Sequence, residues 1–233
     1  MSQDIALYDD VAAEWWGGEK RWLRVLANMV PARLRHFDRH VPDWSGQAVL
    51  DLGCAGGFMA EALARRGAQV TGVDPARRAV ASARAHARTE GLPIGYVVAA
   101  GEALPFADAS FDVVVCVDVL EHVADLGAVL GEVARVLKPG GWFLFDTINR
   151  TWLARLVVVI GAERVLGLLP RGTHDPAKFI ADGDLRERLD ALGFDVGRFS
   201  GLGPTGIDRR GDFTFGLLPL TAILYIGAAQ KAG

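Results

Sequence analysis

The sequence is poor in cysteine and carries no excess of positive charge. Its 233 residues include two cysteines, Cys54 and Cys116, which form no CxxC pair and show no metal-ligand spacing. Neither a disulfide scaffold nor a zinc site is therefore expected. Lysine and arginine total 25 against 28 aspartate and glutamate residues, for a formal charge of −3. This balance argues against a broad basic surface for nucleic acid and favours a small ligand.

The beginning of the chain also lacks the features of a secretory leader. Residues 1–16, MSQDIALYDDVAAEWW, contain neither a basic stretch nor a continuous apolar one, so we expect a cytoplasmic location. The hydrophobic share of 51% argues against disorder. The length suits one large domain, residues 1–233, whereas the sequence does not indicate an oligomeric state.

From residue 48 onwards, short β-rich runs alternate regularly with helical stretches. Such alternation predicts an α/β fold with a doubly wound, mostly parallel sheet of seven strands. The predicted strands are 48–53, 69–74, 95–100, 111–118, 141–148, 195–202 and 222–230, and the predicted helices are 58–67, 76–91, 126–141 and 182–193. The first five strands should adopt the order 3-2-1-4-5, which would bring two free thiols, Cys54 and Cys116, close together.

A glycine-rich turn follows the first predicted strand. Glycine is needed where a Cβ would block the turn or the approach of a ligand, and the helix that follows offers free N–H donors. The second strand ends about 20 residues later in an acid that can accept the hydroxyls of a ribose. The candidate binding residues at these two strand ends are Asp51, Gly53, Cys54, Ala55, Gly56, Asp74 and Pro75.

Taken alone, such a turn could also be a dinucleotide site or a purely structural turn. The pattern of residues 51–57, D-x-G-x-x-G-G, differs from the dinucleotide fingerprint G-x-G-x-x-G and has an acid before the turn. In residues 100–106, at the end of the third strand, the backbone near Ala100 and Gly101 would meet an adenine ring unless the loop only packs. Gly101 and Glu102 are therefore candidate cofactor-binding residues. In this order the signals are typical of class I, Rossmann-like methyltransferases that use S-adenosylmethionine.

Beyond this core, the chain resembles the ubiquinone-biosynthesis O-methyltransferases of the UbiG type. The resemblance rests on residues 11–16, 28–34, 119–123, 149–151, 161–163 and 169–180, the last of which read LPRGTHDPAKFI. It implies methyl transfer to a hydroxyl of a small aromatic acceptor, a polyprenyl catechol or a demethylubiquinol-like quinol. It also implies cofactor contacts by Arg33, Gly53, Asp74 and Val117, with the Arg33 guanidinium reaching the methionine carboxylate.

With this resemblance the chain divides into four parts. Residues 1–45, helical and rich in aromatic side chains, are expected to form a lid. Residues 46–148 are expected to form the cofactor-binding core. Residues 149–181 are expected to form an insertion that faces the acceptor or a membrane, and residues 182–233 are expected to supply the last helix and strands.

Two histidines are candidate catalytic residues. His122 follows the fourth strand, at the sheet edge where doubly wound folds bind ligands, and His174 lies in a Gly-Thr-His-Asp turn. A base at either position would make an acceptor hydroxyl nucleophilic by removing its proton. The alternative is that both side chains only pack. His36, His40 and His86 are predicted on exposed helix faces.

Asp118, Glu121 and His122 form a candidate metal site. A helix beginning after the fourth strand would place these positions on one face. Two carboxylates and an imidazole could hold Mg²⁺ there, as the family resemblance suggests. In the competing interpretation, Asp118 caps the helix, Glu121 contacts backbone and His122 is a base that needs no metal.

The run 152–169 is mostly apolar but is interrupted by Arg155, Glu163 and Arg164. It is too interrupted to span a bilayer, which needs about 20 apolar residues. We predict a peripheral membrane contact on the inner face of the membrane, with an ordinary buried helix as the alternative.

Three other functions stay open at this point. One is a secondary-metabolism methyltransferase acting on oxygen, nitrogen or carbon, against which the block 169–180 argues. Another is a dinucleotide-dependent oxidoreductase, for which the turn has the wrong pattern. The third is a nucleoside-binding subunit without catalysis, which the intact Asp51, Gly53 and Asp74 disfavour.

Overall fold

One sheet runs through the protein, and the computed structural model describes residues 3–165, 170 and 172–233. Five parallel strands come first: β1 (Ala48–Leu52), β2 (Gln69–Asp74), β3 (Gly95–Val98), β4 (Phe111–Cys116) and β5 (Leu137–Ile148). Antiparallel strands complete the sheet: β6 (Phe194–Val196), β7 (Ser200–Ile207), β8 (Phe213–Leu218) and β9 (Leu224–Lys231). The order is β3-β2-β1-β4-β5-β9-β7-β8, with β6 paired to β9.

Helices connect these strands and cover both faces of the sheet. They are α1 (Gln3–Asp10), α2 (Arg21–Phe37), α3 (Phe58–Ala64), α4 (Arg77–Thr89), α5 (Leu126–Val136), α6 (Trp152–Ala154) with a π-helix that follows it (Arg155–Val165), and α7 (Asp182–Ala191). Successive strand residues point to opposite faces. Val113 and Val115 of β4 therefore join the core under α2, α3 and α4, whereas Val114 and Cys116 join the core under α5 and α7.

The predicted fold class and the order of the first five strands are confirmed, but the described residues contain nine strands rather than seven. The predicted strand 195–202 divides into β6 and β7, and β8 was not predicted. The sequence of β7, SGLGPTGI, is rich in glycine and has no apolar alternation. Its strand geometry comes from pairing with β8 and β9, which follow it in the chain.

The N-terminal segment packs against the end of the sheet through polar side chains of α2. Asn28 Nδ2 donates to the Phe213 carbonyl at 3.0 Å, and Arg35 donates to the Phe215 carbonyl at 3.0 Å. Arg24 pairs with the buried Asp212 at 2.6 Å, just before β8. These contacts cover an edge strand whose backbone groups would otherwise be open to another chain.

The apolar run after β5 forms α6 and the π-helix. Ala154, Val158 and Val159 face inward and pack with Ile148 and Phe179. Among the residues whose structure is described, no helix is both long and apolar enough to cross a bilayer. Residues 166–169 of the predicted membrane segment, and Arg171 of the block 169–180, lie outside the described residues.

Candidate active site

A cavity of about 330 Å³ opens at the carboxyl ends of β1, β2 and β4. This is the edge where the strand order reverses, between β1 and β4, and where doubly wound folds bind their ligands. Every residue predicted to bind the cofactor lines the cavity except Gly56: Arg33, Asp51, Gly53, Cys54, Ala55, Asp74, Pro75, Gly101, Glu102 and Val117. The N-terminal segment supplies one wall through Tyr8, Trp15, Leu26 and Val30.

The glycines after β1 make room for other side chains as well as for the turn. Gly53 has φ +78°, and a Cβ there would lie 2.1 Å from Val119 Cγ2. A Cβ on Gly56 would lie 2.1 Å from the ring of Trp15. Trp16 Nε1 also donates to the Gly56 carbonyl at 2.9 Å. Gly56 therefore lets the N-terminal segment pack closely against the loop. It was predicted to bind the cofactor, but it contacts Trp15 and Trp16 and does not line the cavity.

Two carboxylates at the strand ends behave differently. Both oxygens of Asp51 are buried without a hydrogen-bond partner. Burial raises the pKa of Asp51 to about 7. The charge of Asp74 adds to this rise, whereas the nearby Ala60 amide opposes it, although that amide makes no hydrogen bond of normal geometry with Asp51. Asp74 accepts from the Ala55 amide at 2.9 Å and from the Ala76 amide at 2.7 Å. Burial raises the pKa of Asp74 to about 6.

Arg33 lines the cavity but is held by two carboxylates of the protein. Its Nε donates to Asp146 Oδ2 at 2.5 Å, and its Nη2 lies 2.5 Å from Asp118 Oδ2. Arg33 is only 2% exposed and Asp146 is fully buried. Burial raises the pKa of Asp146, and the Arg33 charge opposes that rise. The family resemblance implied that Arg33 contacts a ligand carboxylate, and nothing in the sequence indicated Asp118 or Asp146 as its partners.

His122 and His174 come together at one side of the cavity. Their ring centroids are 5.2 Å apart, and His122 lines the cavity. His174 Nδ1 lies 2.8 Å from Glu163 Oε1, and the His174 amide donates to the same oxygen at 3.0 Å. Because Glu163 is buried and also accepts from the Gly172 amide, it fixes the turn that carries His174.

The predicted metal site is not formed as the sequence indicated. Residues 117–125 are not helical, since α5 begins only at Leu126, where Asp125 is the N-cap. Asp118 therefore does not share a helix face with Glu121 and His122 and instead pairs with Arg33. Among the described residues, potential ligand atoms of Glu121, His122 and His174 lie within 4.8 Å of one another. Glu121 also accepts from Thr147 Oγ1 at 2.7 Å.

The prediction that His36, His40 and His86 lie on exposed helix faces was wrong for His36, whereas His40, just beyond the end of α2, and His86 are half-buried. His36 is buried, and burial lowers its pKa to about 4. His86 stacks on Trp16 with centroids 3.7 Å apart, and its Nδ1 lies 2.6 Å from the buried Glu61.

Cys54 and Cys116 are free, as predicted, and both are buried; they belong to hydrophobic clusters on opposite sides of the sheet, although they were predicted to lie close together. Burial raises the pKa of both thiols well above the usual range. The strand order indicates that β1 and β4 are neighbours, but it does not determine on which face of the sheet each thiol lies.

Several residues at the site were missed by sequence reasoning. Asp146 is one, although an acid within the apolar run FLFDTI was a signal that a charge is buried there for a partner. Lys178 lines the cavity and donates to the His122 carbonyl at 3.3 Å. Tyr8 also lines the cavity, and no local pattern in the sequence marked it.

Comparison with known proteins gives consistent likenesses. A family model described as a methyltransferase domain matches residues 50–145. The ubiquinone biosynthesis O-methyltransferase of Chromobacterium violaceum is 38% identical over 98% of this chain and 97% of its own length. That of Paracidovorax citrulli is 40% identical over 98% of this chain and 94% of its own. The crystal structure of a SAM-dependent methyltransferase from Methanosarcina mazei shares the fold, with a TM-score of 0.61 and 24% identity over 83% of this chain and 97% of that one.

Proposed function

Since the chain belongs to the ubiquinone biosynthesis O-methyltransferase family, we propose that it transfers a methyl group from S-adenosylmethionine to a hydroxyl of a polyprenyl catechol or a demethylubiquinol-like quinol. The observation that carries the proposal is that two groups of residues line the same cavity. Asp51, Gly53 and Asp74 suit a nucleoside with an amino-acid tail, and His122 stands beside them on the acceptor side.

The residues of the cavity fit S-adenosylmethionine. The cofactor supplies an electrophilic methyl group on a positively charged sulfur. The acids that line the cavity, Asp51, Asp74, Glu102 and Asp118, outnumber the cations Arg33 and Lys178, which suits a positively charged ligand. The buried Asp51 oxygens have no hydrogen-bond partner within the protein and can accept from a donor group of a ligand. Asp74 keeps lone pairs for ribose hydroxyls beyond the two amides that it binds.

The acceptor is bound on the His122 side in this proposal. Imidazole is the commonest general base in enzymes, and a well-positioned one contributes about 10²–10⁴-fold to the rate. His122 takes the proton of the acceptor hydroxyl, and the resulting oxygen attacks the methyl group in line with the bond to sulfur. His174, oriented by Glu163, packs against His122 and supports its position.

The donor set does not fit the Mg²⁺ site that the sequence suggested. Asp118 is paired with Arg33, which leaves one carboxylate, Glu121, with the imidazoles of His122 and His174. Magnesium prefers oxygen ligands, whereas this set resembles those chosen by softer divalent ions. We therefore assign the proton transfer to His122. Full activity in EDTA supports this assignment, and activity that is lost in EDTA and restored by added Mg²⁺ contradicts it.

A cytoplasmic protein with a peripheral contact on the inner face of the membrane is the second part of the proposal. It is supported by exposed apolar side chains of the segment after β5: Trp152, Leu156, Val157, Ile160 and Val165. The exposed Arg155 and Arg164 lie in the same segment and suit anionic lipid. The same segment carries Glu163, which holds the turn of His174. The protein would thus bind a prenylated acceptor close to the membrane in which the acceptor is dissolved.

Vesicle flotation tests the membrane contact. The wild-type protein should float with vesicles containing phosphatidylglycerol, and the double variant Leu156→Glu, Ile160→Glu should not. Leu192→Glu is the matched control, because Leu192 is an exposed leucine at the end of α7, away from the segment after β5. Equal flotation of both variants, or none by the wild type, would contradict the contact.

A panel of acceptors tests the reaction. The protein is incubated with methyl-labelled S-adenosylmethionine and prenylated catechols, demethylquinols, non-prenylated phenols or polar glycosylated aromatics. We expect the prenylated catechols and quinols to be methylated fastest. A preference for the glycosylated compounds would instead indicate a secondary-metabolism methyltransferase.

A further inference from the structure

A buried acid stands behind Arg33 and does not reach the cavity. Asp146 lies in β5 among Phe143, Leu144 and Phe145 and is fully buried. Its carboxylate accepts from two nitrogens of Arg33, Nε at 2.5 Å and Nη2 at 3.3 Å. Two parallel contacts of this kind fix the plane of a guanidinium as well as its position. A buried charge is costly unless it is paired, so the acid and the arginine require each other.

The same carboxylate also fixes Asp118. The amide of Asp118 donates to Asp146 Oδ1 at 2.9 Å, and Asp118 has φ +55°, a left-handed conformation that few residues other than glycine adopt. The Asp118 carboxylate returns to Arg33 Nη2 at 2.5 Å. Asp146 therefore holds both the cation and the anion that line this part of the cavity.

Strand β5 makes a second contact with the same loop. Thr147 Oγ1, next in sequence to Asp146, donates to Glu121 Oε2 at 2.7 Å. The loop after β4 supplies Val117, Val119 and His122 to the cavity. The end of β5 thus fixes a loop that has no regular secondary structure of its own.

From this geometry we infer that Asp146 is a positioning residue for the amino-acid end of the methyl donor. The donor's α-carboxylate and α-ammonium require a cation and an anion at a fixed separation, and Arg33 and Asp118 provide that pair. Asp146 touches neither ligand group and acts through both residues. The inference rests on the proposed function only for the identity of the donor.

Two related ligands separate this role from a general structural one. S-adenosylhomocysteine carries the amino-acid end, whereas 5′-methylthioadenosine has the same nucleoside and a thioether sulfur without it. Calorimetry on Asp146→Ala should show affinity for S-adenosylhomocysteine reduced about tenfold or more, because the partners of a buried charge are left unpaired. Affinity for 5′-methylthioadenosine should change less than about twofold.

The conservative variant and a matched control complete the experiment. Asp146→Asn keeps an oxygen for the Asp118 amide and should bind S-adenosylhomocysteine with an affinity between those of the wild type and Asp146→Ala. Asp112→Ala is the control, because Asp112 pairs with Lys138 at the opposite end of β4 and does not line this cavity. If Asp146→Ala does not fold, the asparagine variant alone decides the question.

Equal losses for both ligands, or no loss for S-adenosylhomocysteine, would overturn the inference. These measurements need no acceptor. A failure to methylate phenols would therefore contradict the proposed reaction while leaving the assignment of Asp146 intact.

Discussion

The buried Asp51 carboxylate should make the ligand-free protein less stable as the pH rises. Burial raises the pKa of Asp51 from near 3.8 to about 7 in the folded protein. The folded state therefore holds a proton that the unfolded chain has already released between these two values. By linkage, stability is highest below the unfolded pKa and is lost as the pH rises through the folded pKa.

The size of this effect follows from the pKa values. Each pH unit within the window changes the free energy of unfolding by about 1.4 kcal/mol, which gives roughly 4 kcal/mol for the whole window. About 3 kcal/mol of this falls between pH 5 and pH 8. Asp51→Asn removes the ionisation while keeping the size of the side chain. Its stability relative to the wild type should therefore rise by about 3 kcal/mol over that interval.

Urea unfolding of both proteins without ligand at several pH values between 5 and 8 measures the difference. Titrating groups that do not interact with Asp51 are shared by the two proteins and should largely cancel. Asp112→Asn is the control: partial burial opposes the shift, but hydrogen bonds from Lys138 and the Ala48 amide prevail, and the pKa of Asp112 is lowered. The stability that Asp112 contributes is lost only as the pH falls below the pKa of an ordinary aspartate. The difference in stability between Asp112→Asn and the wild type should therefore stay constant from pH 5 to 8. An Asp51→Asn difference that is equally flat would refute the reasoning.

Three further predictions concern the cavity. Asp74→Ala should weaken binding of S-adenosylmethionine by about 1–3 kcal/mol, because hydrogen bonds to the ribose hydroxyls are lost; an unchanged dissociation constant in calorimetry would contradict the ribose assignment. His122→Ala should lower kcat about 10²–10⁴-fold while S-adenosylhomocysteine still binds; wild-type turnover would remove His122 as the base. Gly56→Ala should cost about 1–3 kcal/mol of stability, because the new Cβ meets the ring of Trp15 at 2.1 Å. Denaturation of the double variant with Trp15→Ala checks the cause, since its loss should be smaller than the sum of the two single losses.

The core of the fold was predictable because its signals are local. Parallel strands that are covered on both faces appear in a sequence as continuous apolar runs. Strand β2, for example, was predicted with its observed bounds, Gln69–Asp74. The strand ends then placed Asp51, Gly53 and Asp74 at one edge of the sheet. The resemblance to ubiquinone-biosynthesis O-methyltransferases, which rested on longer blocks of special residues, is confirmed by relatives that match nearly the whole chain.

What could not be predicted depends on contacts between distant parts of the chain. Arg33 and Asp146 are 113 positions apart, and nothing near Arg33 indicates that two carboxylates hold it. The loop after β4 was predicted to be helical from the spacing of Asp118, Glu121 and His122. Its actual course is set by hydrogen bonds to Asp146 and Thr147 of β5, which no local pattern records. The edge strand β8 was missed because its side chains are mostly half-buried and show no alternation.

The most direct test of the proposed reaction identifies the atom that receives the methyl group. The protein is incubated with S-adenosylmethionine carrying a ¹³C-labelled methyl group and a prenylated catechol, and the product is examined by carbon NMR. The proposal predicts a labelled methoxy carbon on the ring, formed together with an equal amount of S-adenosylhomocysteine. A labelled methyl group on a ring carbon, or release of S-adenosylhomocysteine with no methylated catechol, would contradict it.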